Sequence, residues 1–265
     1  VSYGGSNMIA ALIALGLLVI AFWAWLQRRT RDPLVDVETL TRPAVAMTNL
    51  ATLLIGFGMF ASFILIPQLV EAPESSGYGF GFGATQAGLT MLPGALVMLF
   101  AGPLSGQLGS RFGNKLPLAV GALISGAGLI GLGLDHGSVL SVVLWNVVSS
   151  IGVGLAFAAM PNLIMETVPV SRTGEATGFN ALIRSVGSSL GSQMTAAILT
   201  GTVVLATGFP TSEGFKVAFL VGAGASVAAG LIATLIPNGG HDHVSVAEEI
   251  GAASVLPDPA LAADE

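Results

Sequence analysis

The chain has 265 residues, of which 53% are hydrophobic and 9% charged, with a formal net charge of -6 and no cysteine. A water-soluble domain carries about 25% charged residues, so this composition excludes one. The missing thiols exclude a disulfide framework, a thiolate metal site and a cysteine nucleophile. Nine Lys and Arg residues scattered between apolar runs cannot form a phosphate-tracking surface, which excludes nucleic acid as a partner.

Asp, Glu, Lys and Arg are missing from seven stretches: 1–27, 43–70, 75–110, 116–134, 136–165, 185–212 and 217–241. A helix crossing the hydrocarbon core needs about 20 mostly apolar residues. Each stretch therefore holds one crossing, at residues 7–26, 45–66, 84–105, 117–134, 139–160, 182–206 and 216–236. The expected fold class is an all-α integral membrane protein with seven transmembrane helices, and the lipid bilayer is its first partner.

Span one has no basic residue before it and ends in Gln27-Arg28-Arg29. A signal peptide would show a basic start and a small-residue cleavage site, so the span reads as a membrane helix. The chain opens on Val1, with Met8 as its first methionine, which suggests a fragment or a processed product. Arg28, Arg29, Arg31 and Arg42 follow span one, Arg111 and Lys115 separate spans three and four, and Arg172 and Arg184 lie between spans five and six or at their edge. The alternate loops hold Glu71, Glu74, Asp135 and Glu213, with Lys216 as their one basic residue. Eight of nine basic residues thus share a side, which the positive-inside rule makes cytoplasmic. The expected location is the plasma membrane, with residue 1 outside and the C-terminal tail in the cytoplasm.

Span three contains Pro93, which removes a backbone hydrogen bond and is expected to kink the helix. Span four offers Ser125 as its one polar side chain, and span seven only Ser226 and Thr234; both are expected at the periphery. Span five carries Ser141, Asn146, Ser149 and Ser150, and span six eight polar residues from Ser185 to Thr202. Ser185, Ser188, Ser192, Thr195 and Thr202 recur at helical spacing, so they form a stripe that faces other helices or water. Spans five and six are therefore expected inside, lining a cavity. The competing reading is that the hydroxyls bond to their own preceding turn or join helices at modest energy. Gly174-x-x-x-Gly178 and Gly187-x-x-x-Gly191 are spacings that let helix backbones approach closely.

The tail, 237–265, is rich in Ala, Gly, Pro and acids and too weakly apolar to fold alone, so disorder is expected. Its His241-Asp242-His243 offers too few ligands for a metal site. Ser105 and His136 lie at opposite membrane faces, which rules out an intramembrane nucleophile paired with a base. Neither a His-Glu-x-x-His helix nor a Walker loop is present, so no catalytic or metal-binding residue is expected. Glu71, Asp135 and Glu166 all fall near span ends, whereas a proton relay needs an ionisable group at depth.

Between spans three and four stands Gly106-Gln107-Leu108-Gly109-Ser110-Arg111-Phe112-Gly113-Asn114-Lys115. It resembles the cytoplasmic loop signature of the major facilitator superfamily, Gly-x-Leu-Ala-Asp-Arg-x-Gly-Arg-Lys, with Ser110 and Asn114 in place of the aspartate and second arginine. Pro169 with Gly174, Ala176, Gly178, Asn180, Arg184, Gly187 and Gly191 is similar to the penultimate-helix region of the fourteen-span drug:proton antiporter branch. So are the segments from Arg31 to Asp36 and from Gln86 to Pro93.

The resemblance implies three regions. Residues 1–43 would be a linker helix and cytoplasmic connector, 44–236 the C-terminal six-helix bundle, and 237–265 the acidic tail. Residues 45–134 and 139–236 each hold three helices, and because three is odd they form an inverted 3+3 repeat, as in such transporters. The implied function is the C-terminal half of a proton-coupled multidrug or small-molecule efflux transporter that works by alternating access. Its implied partners are the N-terminal half and a small amphipathic or cationic substrate, with the proton as coupling ion and no other cofactor. Asn146, Ser149, Asn180, Arg184, Ser189 and Gln193 are the expected substrate pathway. Gly106, Arg111, Gly113 and Lys115 are the expected cytoplasmic gate, and Pro93, Gly187 and Gly191 serve kinking and packing. The alternative is a non-transporting anchor, an assembly partner or an inactive transporter fragment.

Overall fold

The computed structural model describes residues 41–166, 168, 172–204 and 208–237, together with Leu15, Gly16, Leu18, Phe22 and Leu26. Those last five are helical. The rest of span one, and the tail beyond 237 with its His241-Asp242-His243, lie outside the described residues.

Among the described residues from 41 onward, six long helices follow one another: α1 (Pro43–Glu71), α2 (Ala84–Phe112), α3 (Lys115–Leu134), α4 (Val139–Met165), α5 (Thr173–Gly201) and α6 (Ser212–Leu235). Lipid offers no water to satisfy backbone amides, so apolar runs of this length must close their hydrogen bonds internally as helices. Their ends are set locally. Pro43 opens α1 at a position where its missing N–H costs nothing. Ser138 and Thr211 cap α4 and α6 by accepting from the amides of Ser141 and Gly214, both at 3.1 Å. Gly113, at φ 83°, stops α2 in a conformation that a side chain would resist. Pro67, Pro93, Pro103 and Pro161 all lie inside helices that continue through them.

Five of the six are long and apolar enough to cross a membrane; α5 has the length but is more polar. The packing follows the inverted repeat. If α1, α2 and α3 are matched to α4, α5 and α6, then α2 lying on α4 has its counterpart in α5 lying on α1. Likewise α3 against α4 matches α6 against α1, while α3 and α6 pack on each other across the pseudo-symmetry axis.

Within this unit the polar helix α5 touches chiefly α1, and Leu182, Val186, Leu190 and Met194 stand exposed on its far side. One expectation about the packing needs correction. The apolar helix α3 was expected at the edge, yet 67% of its membrane-crossing window is buried, against 22% for α2. Glycine is the reason. A methyl group on Gly121 would meet the carbonyl oxygen of Gly152 at 2.6 Å, and one on Gly128 the backbone nitrogen of Ser149 at 2.5 Å. Bare backbone, more than polar side chains, lets a membrane helix sit deep in a bundle. The boundaries of span six also move, because α5 begins at Thr173 and Thr202 lies just past its end. Gly174 and Gly178 have nothing within reach of an added methyl, so that pair makes no close helix contact.

At the end of the bundle that carries the α1–α2, α3–α4 and α5–α6 connections, the loops are tied to one another. The Tyr78 hydroxyl donates to the Pro210 carbonyl at 2.7 Å and its ring tilts against Phe215. Burial pushes this phenol above its ordinary pKa, opposed by a hydrogen bond with Ser76. His136 reaches the Leu132 carbonyl at 2.9 Å and the Ser212 hydroxyl at 3.1 Å, linking the α3–α4 loop to α6.

Candidate functional site

Among α1, α2 and α4 lies a cavity of about 90 Å³, enough for a few water molecules or part of a ligand. Met59, Ser62 and Phe63 come from α1, Met91, Ala95 and Met98 from α2, and Asn146, Ser149, Ser150 and Val153 from α4. Each set recurs at three, four or seven residues, so each is one helix face. Three methionines give a soft, adaptable apolar wall, and four polar side chains supply hydrogen bonds without any charge.

Two features show that this site is built. Gly94, next to Pro93, brings α2 up against α4: a methyl there would meet the Asn146 amide nitrogen at 2.7 Å and the Ser150 hydroxyl at 2.5 Å. Ser62 lines the cavity, and its side-chain oxygen is buried with no hydrogen-bond partner among the described residues. A buried hydroxyl without a partner carries a desolvation cost of about 1–3 kcal/mol that a hydrogen-bonding ligand would relieve.

Of the six residues expected along the pathway, Asn146 and Ser149 line this cavity. Asn180 is buried elsewhere, between α5 and α1, where its amide donates to Asn49 Oδ1 at 2.9 Å and Thr52 Oγ1 at 2.8 Å. Arg184 is half-buried, with its guanidinium 4.7 Å from the centre of the Phe157 ring. Ser189 and Gln193 are on the exposed face of α5. The proposed stripe of hydroxyls on α5 does not form one lined face. Ser185, Ser188 and Ser192 donate to carbonyls of their own helix at 2.9–3.0 Å, the local back-bonding that competes with any outward role.

Gly187 and Gly191 are buried on the α1 side of α5, where added methyls would fall on the carbonyl oxygens of Leu53 and Phe57. At the end of the bundle that holds the α2–α3 turn, Gly106 belongs to α2, with Arg111 exposed in its last turn. Gly113 makes the turn, and Lys115 donates to the Ile236 carbonyl at 2.7 Å, placing a cation on the C-terminal end of α6 as the helix dipole favours. Beside it, the Asn114 amide donates to Glu166 at 2.7 Å. Sequence reasoning passed over Met59, Ser62, Met91 and Met98. Their signal was available as Met91-x-x-x-Ala95-x-x-Met98 and Met59-x-x-Ser62-Phe63, but methionine at helical spacing in an apolar run looks the same whether it faces lipid or a cavity.

Comparison with known proteins agrees with this architecture. The family model of the Major Facilitator Superfamily matches residues 2–192. The chain is 25% identical over 180 residues to "Multidrug resistance protein Stp" of Mycobacterium tuberculosis, covering 68% of this chain and 32% of that protein. It is 31% identical over 193 residues to the "Uridine/deoxyuridine transporter" of Lactococcus lactis, covering 69% and 39%. It is 23% identical over 201 residues to the "Tetracenomycin C resistance and export protein" of Streptomyces glaucescens, covering 75% and 36%. The aligned region thus spans 32–39% of the length of these curated relatives.

Proposed function

Because this chain belongs to the Major Facilitator Superfamily and is therefore a membrane protein of a transporter family, we propose that it forms the C-terminal half of a small-molecule exporter. The inverted packing of α1–α3 against α4–α6 is the kind of unit that rocks against a partner half in alternating access. Substrate sites in such proteins lie near the membrane midplane where repeats meet, and the Met-lined cavity is where the two triplets meet here.

One observation carries the reading: a cavity walled by Met59, Met91, Met98 and Asn146 is also lined by Ser62, whose buried hydroxyl has no partner among the described residues. Such a surface suits small amphipathic molecules, a range in keeping with the names of the relatives. Proton coupling is part of the proposal. Glu71 ends α1, and Asp135 and Glu166 directly follow α3 and α4, so the relay is assigned to the N-terminal half. Sidedness is proposed as the basic residues predict, with the Asn114 turn cytoplasmic and Ser76 outside. No enzymatic step is proposed.

The test is export by the chain coexpressed with an N-terminal six-helix half. Asn146→Leu and Met91→Trp, which fill the cavity, should each reduce dye export by about tenfold, equivalent to about 1.4 kcal/mol, while expression and detergent melting stay near normal. Unchanged export by both variants would remove the cavity from the path. Impermeant thiol reagents should label a cysteine at Ser76 in intact cells and leave one at Asn114 untouched.

A further inference from the structure

We propose that Arg184 makes this half of the path selective for an amphipathic organic anion, with the ligand's apolar body against the methionines and its negative group on the guanidinium. The inference rests on the cavity being the substrate path. It narrows the ligand class that the sequence suggested, a small amphipathic or cationic molecule, to amphipathic anions.

Arg184 lies eleven residues into α5, well away from both helix ends. Its side chain points into the bundle. A methyl on Gly56 of α1 would meet Arg184 Cγ at 3.3 Å and its carbonyl oxygen at 2.6 Å, and the guanidinium lies over Phe157 of α4. The bare backbone at Gly56 is what admits the arginine between α1 and α4. Among the described residues no carboxylate pairs with it; the ion pair of Lys216 with Glu213 is at the external end.

Arginine cannot lose its proton, and its five donors form a rigid fork that suits carboxylate geometry. An aromatic face holds the charge but accepts none of those donors as a carboxylate would. The guanidinium is therefore a half-buried cation with unused donors. It is also close to the cavity. Phe157 follows Val153 by four residues and Ser150 by seven, so it continues the α4 face that lines the cavity, about 6 Å toward the cytoplasm by helical rise. The cavity walls carry no charge of their own. In a medium of low dielectric constant an opposite charge nearby is strongly favoured and a like charge disfavoured. A ligand with its ring among Met59, Met91 and Met98 can accept from the Ser62 hydroxyl and extend a carboxylate toward Arg184.

The experiment uses the complete chain in zwitterionic nanodiscs and three planar probes of nearly equal shape: 2-naphthoate, 2-naphthamide and 2-naphthamidine. Equilibrium dialysis, with empty discs subtracted, should show naphthoate bound at least tenfold more tightly than naphthamide, with naphthamidine weakest. Arg184→Gln should bring naphthoate down to the level of naphthamide, Arg184→Lys should retain the preference, and Met98→Ala should weaken all three together. Adding phosphatidylglycerol to the discs should leave naphthoate binding unchanged; displacement would assign the anion to a lipid phosphate and overturn a soluble ligand. Equal binding of the three probes, or a preference that survives Arg184→Gln, would overturn the charge assignment and leave the cavity standing as a ligand site. Binding of none would overturn both.

Discussion

The contact of α2 with α4 and the contact of α5 with α1 are counterparts under the inverted repeat, yet one encloses a cavity and the other is sealed. On the α5 side, Gly187 and Gly191 bring backbone onto backbone at Leu53 and Phe57, and Asn180 closes the part nearer the start of α5 by donating to Asn49 and Thr52. On the α2 side, Gly94 meets only side-chain atoms of Asn146 and Ser150, and Met59, Met91 and Met98 leave space beyond them. The repeat therefore sets which helices pair, and the side chains decide which pair holds a site. A backbone carbonyl cannot move without disturbing its helix, whereas a methionine or an asparagine can change rotamer. One interface suits a fixed hinge plane and the other an adaptable binding wall.

The largest test of this difference is Gly187→Leu. A large side chain against the Leu53 carbonyl should cost at least about 3 kcal/mol, the upper part of the range for overpacking, and abolish expression of folded protein. Gly178→Leu on the same helix, with open space beside it, should stay within about 0.5 kcal/mol of the original chain by detergent melting. Equal effects at the two positions would break the assignment of the sealed interface.

Asn180→Ala comes next. Loss of a two-acceptor interhelical amide should lower stability by about 1–2 kcal/mol, the range for such bonds in model membrane helices, and should reduce export of every substrate alike. Gly94→Ala should cost about 1 kcal/mol or less, because its neighbours can turn away, and should shift the export profile instead. If Gly94→Ala melts as badly as a Gly187 variant, the cavity side is as rigid as the sealed side and the comparison fails.

The smallest effect is expected at Gln193→Leu. The residue is exposed on the outer face of α5, so melting of this chain should change by less than about 0.5 kcal/mol. In cells with the N-terminal half, an altered export profile would show that this face borders the substrate path. No change in either measurement would remove Gln193 from the pathway.

The sequence by itself determined the helices, because they follow from local chemistry. Charge-free runs such as 116–134 and 217–241 are long enough to cross lipid. The family was legible for the same reason, since the segment from Gly106 to Lys115 is contiguous. Asn146 and Ser149 could be picked out as buried polar groups in an apolar helix, and both line the cavity.

Only the tertiary structure decided which polar and glycine residues matter together. Asn146 and Asn180 look alike in sequence, but one borders a cavity and the other closes an interface, because each function needs partners more than 40 residues away in the chain. Gly178 and Gly187 are likewise equivalent in a pattern of spaced glycines, and only Leu53 on α1 distinguishes them. Spacing within a helix fixes the face on which a residue lies. What stands opposite that face is set by long-range packing, which no local pattern encodes.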